Sequence, residues 1–332
     1  MHRSRLALRT CQRALSSSTP GRAAAASTST STSYQPPVKA GSLPAYDAAL
    51  EYIQQDRENK LKQLEQLKQS GAAQDKLDKL EVEAWSNDPE TRWRAKTGAG
   101  DMSKPVYRQL AERKWRKEGD LAILMQRVTQ MHVTPDLLAE INPQADVRIQ
   151  VAGETIEPGV FTAPARTREG FEVTAQVFHP EERLYTLLLV DPDVPDEMDQ
   201  TFTTYAHWLV PNIPLSATST TLPLDSLPAS LAYVPPHPQN GTPYHRYTTL
   251  LLEQSSQLEL SSEPERLGFS VREFVDQYGL SPAGVSFFRQ KWDKDVSAIY
   301  SEVLGEYVPE PKYGRPPKID TYANRPAKYE VV

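Results

Sequence analysis

The chain has 332 residues, room for two domains, and 24% of them are charged. Its formal charge of −6 hides an asymmetry: residues 1–46 carry Arg3, Arg5, Arg9, Arg13, Arg22 and Lys39 and no acid, so the remainder sits near −12. That balance excludes a uniformly basic nucleic-acid glove. The one cysteine, Cys11, excludes a disulfide framework and a Cys₂-type zinc site, and no apolar run reaches the length of a membrane helix.

Residues 1–33 are rich in Arg, Ser, Thr and Ala and can set Leu6, Leu8 and Leu15 beside cations on an amphipathic helix. This is the composition of a mitochondrial transit peptide, without the continuous apolar core of a secretory signal; the alternative is a low-complexity tail. Cleavage is expected within Ser16–Ser33. From Ala45 to about Ser86, Leu50, Ile53, Leu61, Leu64, Leu67, Leu77 and Leu80 recur at three- and four-residue steps among Glu, Gln and Lys. The spacing predicts one long helix, or a pair broken near Ser70-Gly71, with an apolar stripe too narrow for a core of its own. It must lie on a partner or on the rest of the chain.

Residues 92–117 are basic and aromatic. Arg92, Arg94, Lys96, Lys104, Arg108, Arg113, Lys114, Arg116 and Lys117, with Trp93, Tyr107 and Trp115, face only Asp101 and Glu112. Cations neutralise phosphates and rings stack on bases, so the segment is a candidate RNA contact. A solvated helix face with its aromatics turned inward is the other possibility. The leader and the partner-seeking helices beside it favour RNA.

Asp120 to Val133 predicts a further helix. Alternating strands follow around Val147–Val151 and Phe171–Val177, with turns at Glu157-Pro158-Gly159 and Glu169-Gly170. The apolar run Leu184–Val190 reads as a buried strand ending in Asp191-Pro192-Asp193-Val194-Pro195. A second runs from His207 to Pro214, and a Pro- and Gly-rich loop then delivers His245-Arg246-Tyr247 onto a third, Thr248–Glu253. After a polar loop, Val271–Leu280 is an amphipathic helix with a Gly stop, Ala283–Trp292 a strand and Val296–Leu304 a closing helix. The tail from Tyr307 to Val332 is proline-dense and interleaves Lys312, Arg315, Lys318 and Arg325 with tyrosines. It is either a floppy end or an arm that orders on a partner.

The run Tyr185-Thr186-Leu187 into Asp191-Pro192-Asp193-Val194-Pro195, then His207-Trp208, then Gly241-Thr242 with His245-Arg246-Tyr247, resembles the phosphatidylethanolamine-binding protein (PEBP) family. The likeness extends from about Val133 to about Leu304. It implies a mainly β fold with flanking α: an antiparallel β-sandwich with an anion pocket at one end, preceded by a helical extension and followed by an extended arm. The implied divisions are 1–33 leader, 34–132 extension, 133–305 domain and 306–332 arm.

The resemblance also implies an anion pocket lined by Asp191, His207, His245 and Tyr247, with Asp193 close by. Physically, a carboxylate beside an imidazole favours its protonated form and lets the pair offer a donor to an anion. Strand alternation sends Arg246 to the opposite face. The chain departs from the family at the rim, where His237 replaces a small glycine and Pro243-Tyr244 replaces Gly-Leu; that bulk is expected to narrow or fill the mouth. No nucleophile elbow, metal-ligand set or phosphate loop accompanies the pair, so no enzyme, cofactor or metal is expected.

A leader, a helical extension, a PEBP-like domain and a basic arm together resemble the fungal ribosomal branch of the family. This implies a structural constituent of the mitochondrial large ribosomal subunit in the matrix, its partners being large-subunit rRNA and neighbouring ribosomal proteins, with no DNA and no membrane span. A soluble mitochondrial regulator that binds phospholipid or phosphate is the alternative.

Overall fold

The computed structural model describes residues 33–260, 262–304 and 308–314. Nearly all of the leader, together with Arg315, Lys318 and Arg325, lies outside the described residues.

The extension is helical. Helix α1 (Pro44–Gln69) turns at Ser70-Gly71 and packs on α2 (Gln74–Trp85), the second of the two arrangements that the leucine spacing allows. The stripe of α1 lies on α2 rather than on the sandwich, and Leu64 is its one buried residue. Arg57 pins the pair, its guanidinium 2.7 Å from Asp88 and stacked 4.8 Å from the Trp85 ring. Helix α3 (Pro89–Thr97) starts where the Asp88 carboxylate accepts the Thr91 N–H and Pro89 needs no partner for a missing one. Helix α4 (Pro105–Lys117) buries Val106 and Tyr107 against Val82 and Trp85, a small core separate from the sandwich.

Joining the two parts is the far end of α4. Trp115 is buried beside Phe178, with ring centroids 5.6 Å apart, and Arg116 donates to Gln144 Oε1. Helix α5 (Asp120–Gln130) follows, turning Leu124 and Val128 against the outer face of the larger sheet, and a short helix α6 (Val133–Asp136) comes after it.

Two antiparallel sheets form the domain. The elements run β1 (Asp146–Val151), β2 (Glu154–Ile156), α7 (Pro164–Thr167), β3 (Glu172–Gln176), β4 (Arg183–Asp196), β5 (Thr201–Leu215), β6 (His245–Glu253), α8 (Val271–Tyr278), β7 (Ser281–Gln290) and α9 (Lys294–Ile299). One sheet has the order β2-β1-β3, the other β5-β4-β6-β7. Strand β4 lies inside the larger sheet and is covered on both faces, which is why its sequence is a continuous apolar run. Tyr185, Leu187 and Leu189 join the core between the sheets. Leu188 and Val190 point the other way, into a second core against α5 and α8. Truncating Leu189 to alanine would cost about 2–5 kcal/mol. Gly284 on β7 lets the sheets close, because a Cβ there would collide with Val147.

Strand β4 runs further than its apolar pattern suggests. Strand β6 pairs with it only as far as Val190, so beyond that point one edge is open and Pro192 and Pro195 are tolerated. The ladder to β5 is irregular between Asp191 and Val194, and that irregularity decides which side chains enter the family pocket.

Candidate functional site

Four of the pocket residues come together and are sealed. Asp191 sits at the end of the apolar part of β4, His207 on β5, and His245 and Tyr247 at the start of β6; none is more than 1% exposed. Asp191 Oδ2 accepts from His245 Nδ1 at 2.6 Å. His245 Nε2 lies 2.9 Å from Thr242 Oγ1, whose own hydrogen is directed to the Gln239 carbonyl at 2.8 Å. Both ring nitrogens of His245 are thus engaged within the fold. Burial works to raise the Asp191 pKa, but the charge and hydrogen bond of His245 outweigh it and hold the carboxyl below its ordinary range.

Burial disfavours a proton on the two other imidazoles. His207 Nδ1 faces the Val234 carbonyl at 2.9 Å, and burial, then His237, push its pKa down to about 3. His237 Nδ1 faces the Pro235 carbonyl at 2.8 Å, and burial lowers its pKa as well. A neutral imidazole that donates from Nδ1 has only a lone pair at Nε2. The His245 ring nitrogens are engaged with Asp191 and Thr242, and Nδ1 of His207 and of His237 with backbone carbonyls. The Tyr247 hydroxyl is buried near the Asp191 carboxylate without meeting it in full hydrogen-bond geometry.

His237 fills the space as its bulk predicts. Its ring lies 5.0 Å from that of His207, 5.2 Å from Tyr205 and 5.4 Å from Tyr300, so the mouth is plugged by aromatic rings. Tyr205 was open to detection in the sequence, since it shares a strand face with His207 two residues on. Tyr300 and Thr242 were not, because each reaches the cluster from a distant element or a turn. Pro243 and Tyr244 play no part in the plug. Tyr244 turns outward and packs edge-on to Phe161, 5.9 Å away, which corrects the view of it as a second obstruction.

Asp193 needs the larger correction. Period-two alternation would set it beside Asp191, but the irregular ladder turns it to the other face, where it binds Arg246. Arg246 is indeed on that face, tied also to Asp136 at 2.8 Å. Asp193 is a structural anchor outside the cluster. Among the described residues, no group of His, Cys, Asp and Glu has metal-holding geometry, and no helix is long and apolar enough to cross a membrane.

The basic segment divides cleanly. Arg108 is buried, donating to the Met102 and Ser103 carbonyls and to Asp78, so it ties α4 to α2 and is off the surface. Trp115 is buried, and Trp93 is half-buried against Tyr34. Neither ring is free for a base. Arg94 pairs with Glu90 and Arg116 with Glu112. Arg92, Lys96, Lys104, Arg113, Lys114 and Lys117 remain exposed, with no carboxylate partner among the described residues. Arg92 and Lys96 share one face of α3, and Arg113 and Lys117 one face of α4.

The start of the arm lies on the domain itself. Glu310 accepts from Trp292 Nε1 at 2.6 Å and from Ser297 Oγ at 2.8 Å, and the Tyr313 N–H donates to the Asn240 carbonyl at 2.7 Å. Residues 308–314 thus strap the loop that carries His237, leaving Lys312 exposed.

The phosphatidylethanolamine-binding protein family profile matches residues 148–288. The large ribosomal subunit protein mL38 of Schizosaccharomyces pombe is 30% identical over 266 residues, covering 78% of this chain and 86% of its own. A putative odorant-binding protein A5 of Drosophila melanogaster is 27% identical over 185 residues, covering 53% of this chain and 84% of its own. Among solved structures, a carboxypeptidase Y inhibitor in complex with its cognate proteinase aligns at 16% identity and TM-score 0.47, covering 52% of this chain and 96% of the inhibitor. The phosphatidylethanolamine-binding protein of Plasmodium vivax aligns at 17% and 0.42, covering 51% and 97%. The mL38 likeness spans extension and sandwich together, and the chain belongs to the mL38 family, with a phosphatidylethanolamine-binding protein domain at its centre.

Proposed function

We propose that the protein is a structural constituent of the mitochondrial large ribosomal subunit, held in the matrix particle by its extensions. The observation that carries this reading is the similarity to a large ribosomal subunit protein over 266 residues, far more than the sandwich alone. The extension would supply the RNA contacts. Arg92, Lys96, Lys104, Arg113, Lys114 and Lys117 are the cations without internal partners, and cations left free on helix faces are suited to phosphates. Lys312, Arg315, Lys318 and Arg325 would extend those contacts from the arm, and neighbouring ribosomal proteins would take the remaining surface. Residues 1–33 would act as the transit peptide, 34–132 as the helical extension, 133–305 as the PEBP-like domain and 306–332 as the arm.

The domain would act as a block and not as a catalyst. Its Asp191–His245 pair is closed on itself, and Nδ1 of each remaining imidazole is engaged with a backbone carbonyl. A soluble regulator would need donors facing an open pocket, so that alternative has less support.

Sedimentation tests the reading. At moderate salt the protein in a mitochondrial extract should travel with the large subunit through a sucrose gradient. Recovery of the protein at the top of the gradient would sink the proposal.

A further inference from the structure

The sandwich carries an aromatic and basic face of its own, remote in sequence from the helical extension. Residues 159–162 run along the outer edge of β7. Gly159 N–H donates to the Phe287 carbonyl, Arg289 N–H to Val160 and Thr162 N–H to Arg289. This short parallel bridge fixes Phe161 at a sheet edge while leaving its ring 45% exposed, with Val160 and Tyr244 exposed beside it. The Arg289 guanidinium lies 4.1 Å from the Phe161 ring centre and 5.3 Å from that of Tyr244, and the Lys291 ammonium lies 4.9 Å from Phe161. Neither cation has a carboxylate partner among the described residues. Alongside is an open depression of about 300 Å³, floored by Thr162, Ala163 and Pro164.

We propose that this face is a second RNA contact, one that takes an unpaired nucleotide. The base layers on Phe161 and on the plane of the Arg289 guanidinium, which its Nε–H to the Gly159 carbonyl at 2.7 Å holds in place. Lys291, exposed and flexible, leaves the ring for the phosphate. An exposed ring on a rigid edge, flanked by two unneutralised cations, fits a base with its phosphate better than an acidic peptide, which would use the charges and leave the ring in water. Asp293 at the depression is already engaged, its carboxylate accepting the Asp295 N–H at the start of α9. The proposal takes the source of the RNA from the ribosomal reading, but it places the contact on the domain instead of the extensions.

The test uses the full chain and fluorescence anisotropy with a short oligouridine, an RNA duplex of equal length and an oligoglutamate peptide. The exposed-site variants Phe161→Leu and Lys291→Gln should each keep the wild-type melting temperature and weaken oligouridine binding by about ten-fold, with duplex binding little changed. Unchanged oligouridine affinity in both variants would overturn the proposal. So would variants that lose oligoglutamate binding while keeping the RNA. An Arg113→Gln, Lys114→Gln, Lys117→Gln triple variant separates the two readings. If it alone loses RNA, the extension binds and this face does not; if the platform variants alone lose RNA, this face stands and the extension's role falls.

Discussion

Arg246 and Asp193 close a two-pronged ion pair on the outer face of the larger sheet: Nη2 lies 2.6 Å from Oδ1 and Nε 2.8 Å from Oδ2. The same Oδ2 accepts the Arg246 backbone N–H at 2.8 Å, replacing the ladder bond that β4 no longer supplies beyond Val190. Burial acts against the guanidinium charge, but Asp193 and then Asp136 hold it protonated. Removing one partner of such a pair strands the other. Arg246→Met is therefore expected to cost about 3–5 kcal/mol in chemical denaturation. A loss under about 1 kcal/mol would mean that Asp193 and Asp136 are rehydrated at once and the pair is dispensable.

The orphan hydroxyl of Tyr247 gives a prediction of opposite sign. A buried hydroxyl without a partner costs about 1–3 kcal/mol. Tyr247→Phe keeps the ring and its stack on Phe288, 5.6 Å away, and should leave stability unchanged or raise it by about 1 kcal/mol. Inorganic phosphate should not raise the wild-type melting temperature, because the imidazole donors are spent. A phosphate-dependent rise that Tyr247→Phe abolishes would show a working anion site.

The two histidines whose pKa burial lowers set an acid limit. An unfolded histidine protonates near about 6.5, whereas His207 in the fold does so only near about 3, and His237 is lowered too. Above the ordinary value neither state takes a proton and stability is flat. As the pH falls below it the unfolded chain gains protons that the fold refuses, so stability drops by up to about 1.4 kcal/mol per pH unit for each residue. Denaturation midpoints should fall between about pH 7 and about pH 5. His207→Phe should flatten the slope, and a wild-type curve already flat in this window would contradict the assignment.

Gly241 holds the strap. Its φ of +97° suits glycine, and a Cβ there would collide with the Tyr313 carbonyl. Gly241→Ala should lift residues 308–314 at a cost of about 1–3 kcal/mol. Limited proteolysis would detect it as faster cleavage between Val308 and Gly314 with the sandwich intact. Equal cleavage rates would show that the strap is held by Glu310 alone.

The extension's cations should appear in the salt dependence of RNA binding. Each phosphate contact contributes about 0.7–0.9 to the slope of log affinity against log salt. Neutralising Arg113, Lys114 and Lys117 together should reduce that slope by about 2–3. Arg108→Gln, a buried change, should lower the melting temperature instead. If the surface and buried variants alter the slope alike, the division of the segment is wrong.

By itself the sequence determined the strand run Leu184–Val190 and a helical stretch open to a break at Ser70-Gly71; the meeting of Asp191, His207, His245 and Tyr247 and the filling by His237 it implied through its resemblance to the PEBP family. The first two follow from local rules, apolar content and helical period, and the others from motifs matched to the family. Tertiary structure alone decided the side on which Asp193 falls, because an irregular ladder breaks the alternation that places it with Asp191. It also decided that Arg108 and Trp115 are buried while Arg113 and Lys117 stay free, and that Tyr244 turns to Phe161. Composition counts charges and rings; only packing, through what lies against each face, determines which of them reach water.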